Sequence, residues 1–563
     1  MLLRHKKIRI FIGATIFLAA LFLSANIQVL PAQAGDILGQ NKNFFVNSEY
    51  DKFNRTQISA TLAAVSEQAY FFIEDIYWNG LSFERKEALI SNIAPLAGAF
   101  DNDIYPKERE FWGSEPNPGV DGDSKITIVV EQLVSGNGGY FDTLNGYDAP
   151  ESNKREMFFV SAAAVQDNLR NAKIFLAHEF QHLVSFNQKD IMRNISEDVW
   201  LNELRSEYSV TIAGFNEPYA GSGLERRAEL FMSQPSDSLT EWPNSSLDYA
   251  QAALFGEYLV EQYGSEILKD TLRSSAAGIV SINQFLADKN YKERFGDVFG
   301  NWAIANYLNS ASVDKKYAYT LSGLQRVKVN PASNVYLSGA SYNFYETLKP
   351  WQANWHKFNV ASSIMDSKAI KIDFAAGAPF KFYYVDNLGR TGALANPAYI
   401  DDPGGLADFT LIPVNQSKTS DFSKNEQAAP ITFSINFVES GLGRRLSIIE
   451  NGSLIKKPRE GELYVIEGKY KRYLSAGALA SYGHLDPTKA IEVDEGTLNS
   501  YTTANYVRAL NDKKVYAVWP DGTKHWLNMS GEYFTQSGRD WGSIFTINDA
   551  EFQFYKTGPD IVK

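Results

Sequence analysis

The spacing of apolar residues changes near Ser312, and this change divides the 563-residue chain into regions of different fold class. Before it, helix-spaced apolar residues alternate with short strand-like runs, which predicts an α+β region that becomes mostly helical towards residue 310. After it, strand-like runs are separated by Gly, Asn and Asp turns, which is typical of a small β-sandwich. Because 44% of the residues are apolar, intrinsic disorder is excluded for most of the chain.

The apolar pattern also predicts individual elements. Helices are expected at 59–78, 83–100, 168–187, 199–214 and 247–264. Strands are expected at 43–46, 126–130, 157–160, 369–374, 380–385, 409–414 and 431–437. The glycine-rich segment at 136–142 is expected to form an edge strand or the rim of an active site.

The first 34 residues have the pattern of a secretory signal peptide. A basic stretch precedes an uncharged run at 10–23, and Ala32-Gln33-Ala34 offers small residues to a signal peptidase. The alternative is an uncleaved membrane anchor, because the uncharged stretch up to Ala34 is long enough to span a bilayer. No second apolar run approaches that length, so we expect no membrane span after cleavage and a bacterial protein that is secreted or at the cell surface.

Composition excludes several classes of function. The chain has no cysteine, so disulfides, a cysteine nucleophile and thiolate metal sites are excluded, and any metal must be held by His, Asp or Glu. The formal net charge of −12 argues against a nucleic-acid-binding protein, which needs a basic surface to neutralise phosphates. It gives only a mild bias towards basic or neutral polypeptide partners, which salt screens.

The sequence His178-Glu179-Phe180-Gln181-His182 is the most specific chemical signal in the chain. The apolar residues around it have helical spacing, so the two histidines lie one turn apart on one face and can reach the same zinc ion. Glu179 projects to the side, near enough to take a proton from a water molecule at the ion. The alternative is a solvated helix that carries two incidental histidines.

The next predicted helix offers a third ligand. Glu203 and Glu207 lie one turn apart beside a buried stripe, and two such carboxylates repel unless a positive charge lies near them. A metal with its histidine ligands would supply that charge. The alternative is an acidic pair that faces solvent.

The HExxH motif is followed about 20 residues later by Trp200-Leu201-Asn202-Glu203, and this arrangement resembles the gluzincin metallopeptidases. Within that clan the chain resembles the hyicolysin-type secreted neutral peptidases, with shared runs at 139–141, 153–157, 176–183 and 200–203 within roughly residues 40–310. The resemblance implies that His178, His182 and Glu203 bind zinc and that Glu179 is the general base. It also implies that Glu207 orients a ligand imidazole through the other ring nitrogen.

This chain departs from the family pattern directly after the third ligand. Relatives usually have a small residue there, whereas this chain has Leu204 followed by Arg205. A bulky residue facing the neighbouring helix is expected to shift the ligand by a fraction of an ångström without abolishing the site.

Peptide hydrolysis also needs a hydrogen-bond donor for the developing oxyanion. No other histidine lies in the catalytic half, so a tyrosine is expected. Tyr249 starts a segment that resembles the gluzincin helix with a catalytic tyrosine at its start, and the alternative is a core tyrosine with a satisfied hydroxyl. Gly138-Gly139-Tyr140 is the candidate edge that binds the substrate as an added strand.

Asp121-Gly122-Asp123 is a weaker motif for a second cofactor, Ca²⁺. It lacks the twelve-residue pattern of a calcium loop, so a hairpin turn before the strand at 126 is the favoured interpretation.

The last 110 residues or so carry an internal repeat with an offset of about 54 residues. The segments at 464–466 and 471–474 align with those at 516–518 and 524–527. Such units resemble short aromatic β-repeats of exported bacterial proteins. They are either a duplicated spacer or a module for attachment to the cell surface or to glycans.

The sequence therefore predicts a multidomain protein with four parts. They are a signal peptide at 1–34, an α+β zincin-like metallopeptidase domain at 35–311, an all-β sandwich at 312–440, and two tandem aromatic β-rich repeats at 441–563. The metallopeptidase domain is expected to contain a mixed sheet, active-site helices and a helical C-terminal subdomain.

The expected function is that of a secreted zinc-dependent endopeptidase that hydrolyses polypeptides. The long β-rich C-terminal half motivates an alternative, a non-catalytic adhesin or structural protein of the cell surface built on a retired protease domain. The intact set His178, Glu179, His182 and Glu203 favours the enzyme. A metallo-aminopeptidase would need an acidic clamp for the substrate's free amine, and the sequence shows no motif for one.

Overall fold

The computed structural model describes residues 35–361, 368–376, 379–400, 405–439, 446, 448–493, 495–509 and 512–562. The predicted signal peptide, 1–34, lies outside the described residues. The described chain is mixed in class, with many helices and several separate sheets. None of the helices described is both long enough and apolar enough to cross a bilayer.

A six-stranded mixed sheet forms the base of the first half. Its strands are β1 (Asn41–Phe45), β2 (Gln57–Val65), β3 (Ala69–Glu74), β4 (Ile126–Glu131), β5 (Gly139–Tyr140) and β6 (Met157–Ser161). They pair in the order β1-β2-β3-β4-β6-β5, with β3, β4 and β6 mutually parallel and the outer strands antiparallel. The glycine-rich β5 therefore lies at one edge of the sheet.

The prediction of a helix over 59–78 was wrong. The structure instead forms the antiparallel pair β2 and β3 there. Ile58, Ala60 and Leu62 are buried at alternate positions of β2, while every residue of β3 is buried because each face of β3 packs into an apolar core. The apolar spacing of this segment fits a helix as well as a strand, so spacing alone could not distinguish the two.

Eleven helices of the first half surround and extend this sheet within the described residues. They are α1 (Asp75–Gly80), α2 (Phe83–Ala99), α3 (Tyr105–Trp112), α4 (Ala162–Asp167), α5 (Leu169–Ser185), α6 (Val199–Ala213), α7 (Gly223–Ser233), α8 (Ser246–Tyr263), α9 (Glu266–Leu272), α10 (Gly278–Asp288) and α11 (Phe295–Leu308). The other four predicted helices are confirmed as α2, α5, α6 and α8.

Local signals set the ends of the helices that matter for the site. The Asn168 side chain accepts a hydrogen bond from the first turn of α5, and Ser245 forms a capping box with Asp248 at the start of α8. Helix α6 ends at Gly214, which adopts a left-handed conformation with φ of 88°. Helix α5 contacts β5, β6 and α6, so the HExxH segment is placed between the sheet and the helical layer.

The next region forms two facing sheets. Its strands are β7 (Ser333–Leu337), β8 (Tyr342–Leu348), β9 (His356–Val360), β10 (Lys368–Ala376), β11 (Phe380–Asp386), β12 (Thr391–Ala393), β13 (Ala398–Ile400), β14 (Asp408–Asn415) and β15 (Ala429–Glu439). The sheets have the orders β13-β10-β15-β8 and β12-β11-β14-β9-β7, and they share one apolar core. The four predicted strands of this region are confirmed as β10, β11, β14 and β15.

The five-stranded sheet of this pair is joined to the helical region. Tyr383 donates its hydroxyl hydrogen to the carbonyl oxygen of Gly296 at 2.8 Å, and Trp355 Nε1 donates to the carbonyl of Ala303 at 3.0 Å. Both acceptors belong to α11. The apolar core around α11 therefore continues into the β-rich region.

The C-terminal region contains two sheets of the same connectivity. Its elements are β16 (Leu454–Lys456), β17 (Leu463–Glu467), β18 (Tyr470–Leu474), α12 (Ala476–Leu479), β19 (Ile491–Glu492), α13 (Glu495–Ser500), β20 (Thr502–Thr503), β21 (Tyr506–Ala509), β22 (Tyr516–Val518), β23 (Thr523–Asn528), α14 (Gly531–Gln536), β24 (Ile544–Ile547), α15 (Asp549–Phe554), β25 (Lys556–Thr557) and β26 (Ile561–Val562). The orders β19-β16-β17-β18-β20 and β24-β21-β22-β23-β25 match strand for strand, and β26 pairs with β23 as a further strand of the second sheet. Strand directions match as well.

A buried lysine occupies the same position in both repeats, Lys471 in the first and Lys524 in the second. Lys524 Nζ donates to the carbonyl oxygens of Phe552 and Tyr555 at 2.6 and 3.0 Å, which lie at the end of α15. Lys471 makes the equivalent two contacts at the end of α13. Each lysine satisfies carbonyls that a helix C-terminus leaves without partners, and so ties a β-hairpin to a helix.

Replacing Lys524 with Met is expected to lower the free energy of unfolding of the second repeat by about 2–3 kcal/mol, because two carbonyls lose a charged donor. Urea unfolding of the full chain, followed by tryptophan fluorescence, measures this change. Lys513→Met is the matched control, since Lys513 is exposed. Equal unfolding midpoints for the two variants would show that the buried contacts contribute nothing.

Candidate active site

Three side chains of metal-ligand type converge between α5 and α6. His178 Nε2 lies 3.1 Å from Glu203 Oε2 and 3.2 Å from His182 Nε2, and His182 Nε2 lies 3.4 Å from the same carboxylate oxygen. The three atoms lie within 4.8 Å of one another. One zinc ion with ligands about 2 Å away fits among them. Among the residues that the structure describes, no other His, Asp and Glu group has this geometry.

The second nitrogen of each imidazole has its own partner. His178 Nδ1 lies 3.4 Å from Glu207 Oε1, and His182 Nδ1 lies 3.1 Å from Ser206 Oγ. Because Ser206 donates its hydrogen to Gln181 Oε1 at 2.6 Å, its oxygen is assigned as the acceptor of the Nδ1 hydrogen of His182. Both Nε2 atoms then face the same place, where a proton or a metal cation would remove the repulsion between their lone pairs.

Arg227 fixes the carboxylate of Glu207. Its Nε and Nη2 donate to the two carboxylate oxygens at 2.9 and 3.0 Å, and its guanidinium lies 4.9 Å from the centre of the Tyr249 ring. Although burial raises the pKa of Glu207, the Arg227 charge and the hydrogen bond to His178 hold it well below its usual value. Glu207 therefore stays an acceptor for His178.

The electrostatics of the site favour a buried positive charge. Burial lowers the pKa of His178, but hydrogen bonds to Glu203 and Glu207 raise it to about 10. Burial opposes ionisation of Glu203, yet the neighbouring His182 and His178 hold its pKa well below its usual range. Burial raises the pKa of Glu179, so this carboxylate is a stronger base than an exposed glutamate.

Glycine allows the edge strand β5 to run directly beside Glu179. A Cβ atom on Gly139 would lie 2.8 Å from Glu179 Cγ and 2.9 Å from its Oε1, and one on Gly138 would lie 2.3 Å from the Phe175 ring. Any larger residue would push the strand away from the carboxylate. Tyr140 is buried and donates its hydroxyl hydrogen to Glu131 at 3.0 Å, so its side chain anchors the strand.

Tyr249 lies one turn into α8. Its ring centre is 6.0 Å from that of His178, and its hydroxyl donates to Asn244 Oδ1 at 2.7 Å. Burial and then the charges of Glu203 and Glu179 raise the pKa of Tyr249 far above its usual value, so the hydroxyl keeps its hydrogen. The residue has the protonation state of a donor, and its role stays a prediction.

A cavity of about 640 Å³ contains the whole set. All nine residues that the sequence analysis placed in the site line it. They are Gly138, Gly139, Tyr140, His178, Glu179, His182, Glu203, Glu207 and Tyr249. Sequence reasoning missed Ser206 and Arg227, because neither belongs to a recognisable motif and only the folded chain shows their partners.

The calcium motif has no support in the structure. Asp121 accepts the backbone hydrogen of Asp123 at 2.9 Å, while Asp123 accepts from the Lys125 backbone at 3.0 Å and from the Tyr70 hydroxyl at 2.8 Å. The two carboxylates therefore hold a turn before β4. This is the use expected of Asp in such loops.

One comparison with known proteins bears on this geometry. Over 249 residues the chain is 32% identical to the neutral metalloprotease ShpI of Staphylococcus hyicus. The resemblance to the hyicolysin-type zinc metallopeptidases is confirmed. The match covers 40% of this chain and 53% of ShpI, so the chain spans about half the length of this curated relative. No protein-family model matches the chain.

The large side chain of Leu204, which follows Glu203, fits against the facing helix α8. Leu204 is fully buried, and a Cβ on Gly256 of α8 would lie only 3.1 Å from Leu204 Cδ2. Glycine at this position of α8 therefore makes room for the larger side chain. Arg205 is also fully buried and forms an ion pair with Glu197 at 2.7 Å.

Proposed function

We propose that this protein is a zinc-dependent peptidase whose metal is held by His178, His182 and Glu203. The convergence of their three ligand atoms within 4.8 Å carries the proposal. Supporting it, Ser206 and Glu207 occupy the outer nitrogens of the two imidazoles, which leaves both Nε2 atoms for one ion. When bound, zinc supplies a Lewis acid that polarises a carbonyl and makes a water molecule more acidic.

The protein's own groups then move protons and hold the substrate. Glu179 takes a proton from the attacking water and returns it to the leaving amine. The free edge of β5 binds the peptide as an added strand, which places the backbone beside Glu179. The Tyr249 hydroxyl donates to the oxyanion after leaving Asn244.

The proposed location, mode of cleavage and domain organisation of the protein rest mainly on its sequence. We infer endopeptidase action outside the cell, since residues 1–34 have a signal pattern and β5, which lines the cavity, is the edge strand of its sheet within the described residues. The domains at 35–311, 312–440 and 441–563 are part of this proposal, with the repeats as an attachment module for a cell surface or glycans. A non-catalytic adhesin would not need Glu179 to lie beside the glycine-rich strand β5.

Casein hydrolysis by the purified mature protein tests the proposal. We expect one zinc per chain, loss of hydrolysis with 1,10-phenanthroline and recovery on adding back stoichiometric zinc. Zinc bound without hydrolysis of casein or of peptides would favour the adhesin. Hydrolysis that survives complete removal of metal would rule out the proposed mechanism.

Ser206→Ala is expected to weaken zinc binding by about 10- to 100-fold, because His182 loses the acceptor that orients its ring. Competition with a chromophoric chelator measures the affinity. Ser233→Ala, at the exposed end of α7, is the matched control and should bind zinc like the wild type. An unchanged affinity in Ser206→Ala would remove Ser206 from the site.

A further inference from the structure

An arginine side chain lies at one end of the active-site cavity. Helix α5 presents Asn171, Phe175 and His178 to the cavity on successive turns. His178 follows Asn171 by seven positions, so at 1.5 Å per residue Asn171 lies about 10 Å along the helix from the proposed metal ligands. This end is within reach of a peptide that is bound at the site.

Arg226 of α7 reaches the same end of the cleft. It lines the cavity, is exposed, and donates from Nη2 to Asn171 Oδ1 at 3.0 Å and from Nη1 to the carbonyl of Gly221 at 3.1 Å. Both acceptors are neutral. A guanidinium has five N–H donors, so several remain for a ligand.

The carboxylates near Arg226 already have other cations. Nε and Nη2 of Arg227 donate to the two carboxylate oxygens of Glu207, and Glu225 forms an ion pair with Arg326 at 3.2 Å. Within the described part of the chain, Arg226 forms no ion pair with a carboxylate.

Two further arginines, Arg227 and Arg170, lie near Arg226. Partial burial and then the charges of these two arginines lower the pKa of Arg226 below its usual value, while Glu207 and Glu225 act in the opposite direction. Arg170 itself donates to the carbonyls of Pro218 and Ala220. Of these three arginines, Arg226 and Arg227 line the cavity and Arg227 is paired with Glu207, so Arg226 is the one whose charge is left for an anionic ligand.

We propose that Arg226 binds a carboxylate of the peptide substrate, which makes this site selective for acidic peptides. The inference rests on the proposed peptidase function. An extended peptide advances about 3.4 Å per residue, so 10 Å corresponds to two or three residues from the scissile bond. Arginine pairs with carboxylates through two parallel hydrogen bonds, and this geometry distinguishes Glu from Gln.

The cavity wall carries apolar side chains on both α5 and α7. Ile174 and Phe175 of α5 and Leu224 and Leu230 of α7 line the cavity. The peptide class that fits has an apolar residue next to the scissile bond and an acidic group beyond it. That group is either an Asp or Glu side chain or the C-terminal carboxylate of a short peptide.

Quenched fluorescent peptides with one scissile bond test the proposal on the zinc-loaded full chain. Glu, Gln and Lys are placed in turn at each of three positions on either side of the bond, and each peptide is made as the acid and as the amide. At one position we expect kcat/KM for Glu to exceed that for Gln about tenfold, the effect of one charge-assisted pair. In Arg226→Gln this ratio should fall to about one.

Arg170→Gln is the matched control. Arg170 holds the 218–221 loop as Arg226 does but does not line the cavity, so this variant should keep the preference for Glu. Fluorescence anisotropy with uncleaved peptides and the Glu179→Gln protein gives an independent reading, in which Arg226→Gln should remove the tighter binding of the Glu peptide.

Each outcome has a distinct meaning. A preference for Glu that depends on Arg226 assigns the site to an internal side chain, whereas a preference for acid over amide that depends on Arg226 assigns it to a C-terminal carboxylate. Equal cleavage and binding of all peptides, or equal loss of preference in Arg226→Gln and Arg170→Gln, would overturn the proposal. Selective binding that depends on Arg226, without any zinc-dependent cleavage, would support the carboxylate site and refute the peptidase function.

Discussion

Glu179→Gln is expected to lower kcat/KM for casein and peptide hydrolysis by about 10³-fold, within the range that a positioned general base contributes. Gln has nearly the same shape but cannot accept the proton of the attacking water. Because Glu179 is outside the proposed ligand set, zinc content should stay at one per chain. Steady-state kinetics together with metal analysis measure both quantities.

The control for this change is Glu229→Gln, the same substitution at an exposed position of α7, which should hydrolyse peptides at the wild-type rate. A Glu179→Gln protein that keeps its zinc and its full activity would show that another group serves as the base. Loss of zinc in Glu179→Gln would instead mean that Glu179 is a ligand, contrary to the assignment of Glu203.

Glu197→Gln is expected to lower the free energy of unfolding by about 3–5 kcal/mol, because it leaves two buried cations without a counter-charge. Glu197 Oε2 lies 2.7 Å from Arg205 Nη1 and 3.2 Å from Lys189 Nζ, and both cations are fully buried. Its Oε1 also accepts the backbone hydrogen of Gly278 at 2.6 Å. Urea unfolding followed by circular dichroism measures the loss.

The effect should reach the proposed metal site, since Arg205 lies on α6 between Glu203 and Glu207. We therefore expect weaker zinc binding as well as lower stability. Glu266→Gln is the matched control, because Glu266 pairs with Lys269 at an exposed position and its loss should cost less than about 1 kcal/mol. Equal unfolding midpoints for the two variants would show that the buried cluster does not stabilise α6.

Much of the structural framework was predictable from local pattern. The HExxH segment has helical spacing, and i, i+4 geometry alone places two imidazoles on one face of α5. The helix predicted at 199–214 is α6, and the glycine-rich segment at 136–142, predicted as an edge strand or the rim of an active site, contains β5. The 59–78 prediction failed because burial on both faces of β3 removes the alternation that identifies a strand.

The sequence by itself determined which residues are candidates for metal binding: without cysteine, only His, Asp and Glu are available, and their spacing along two helices selects the candidates. Tertiary structure alone decided the orientation of these groups. Ser206, Arg227, Gly139 and Gly256 act through contacts with residues distant along the chain. Such contacts depend on how the helices and the sheet pack together. The local spacing of residues along the chain does not show which distant residue a side chain will contact.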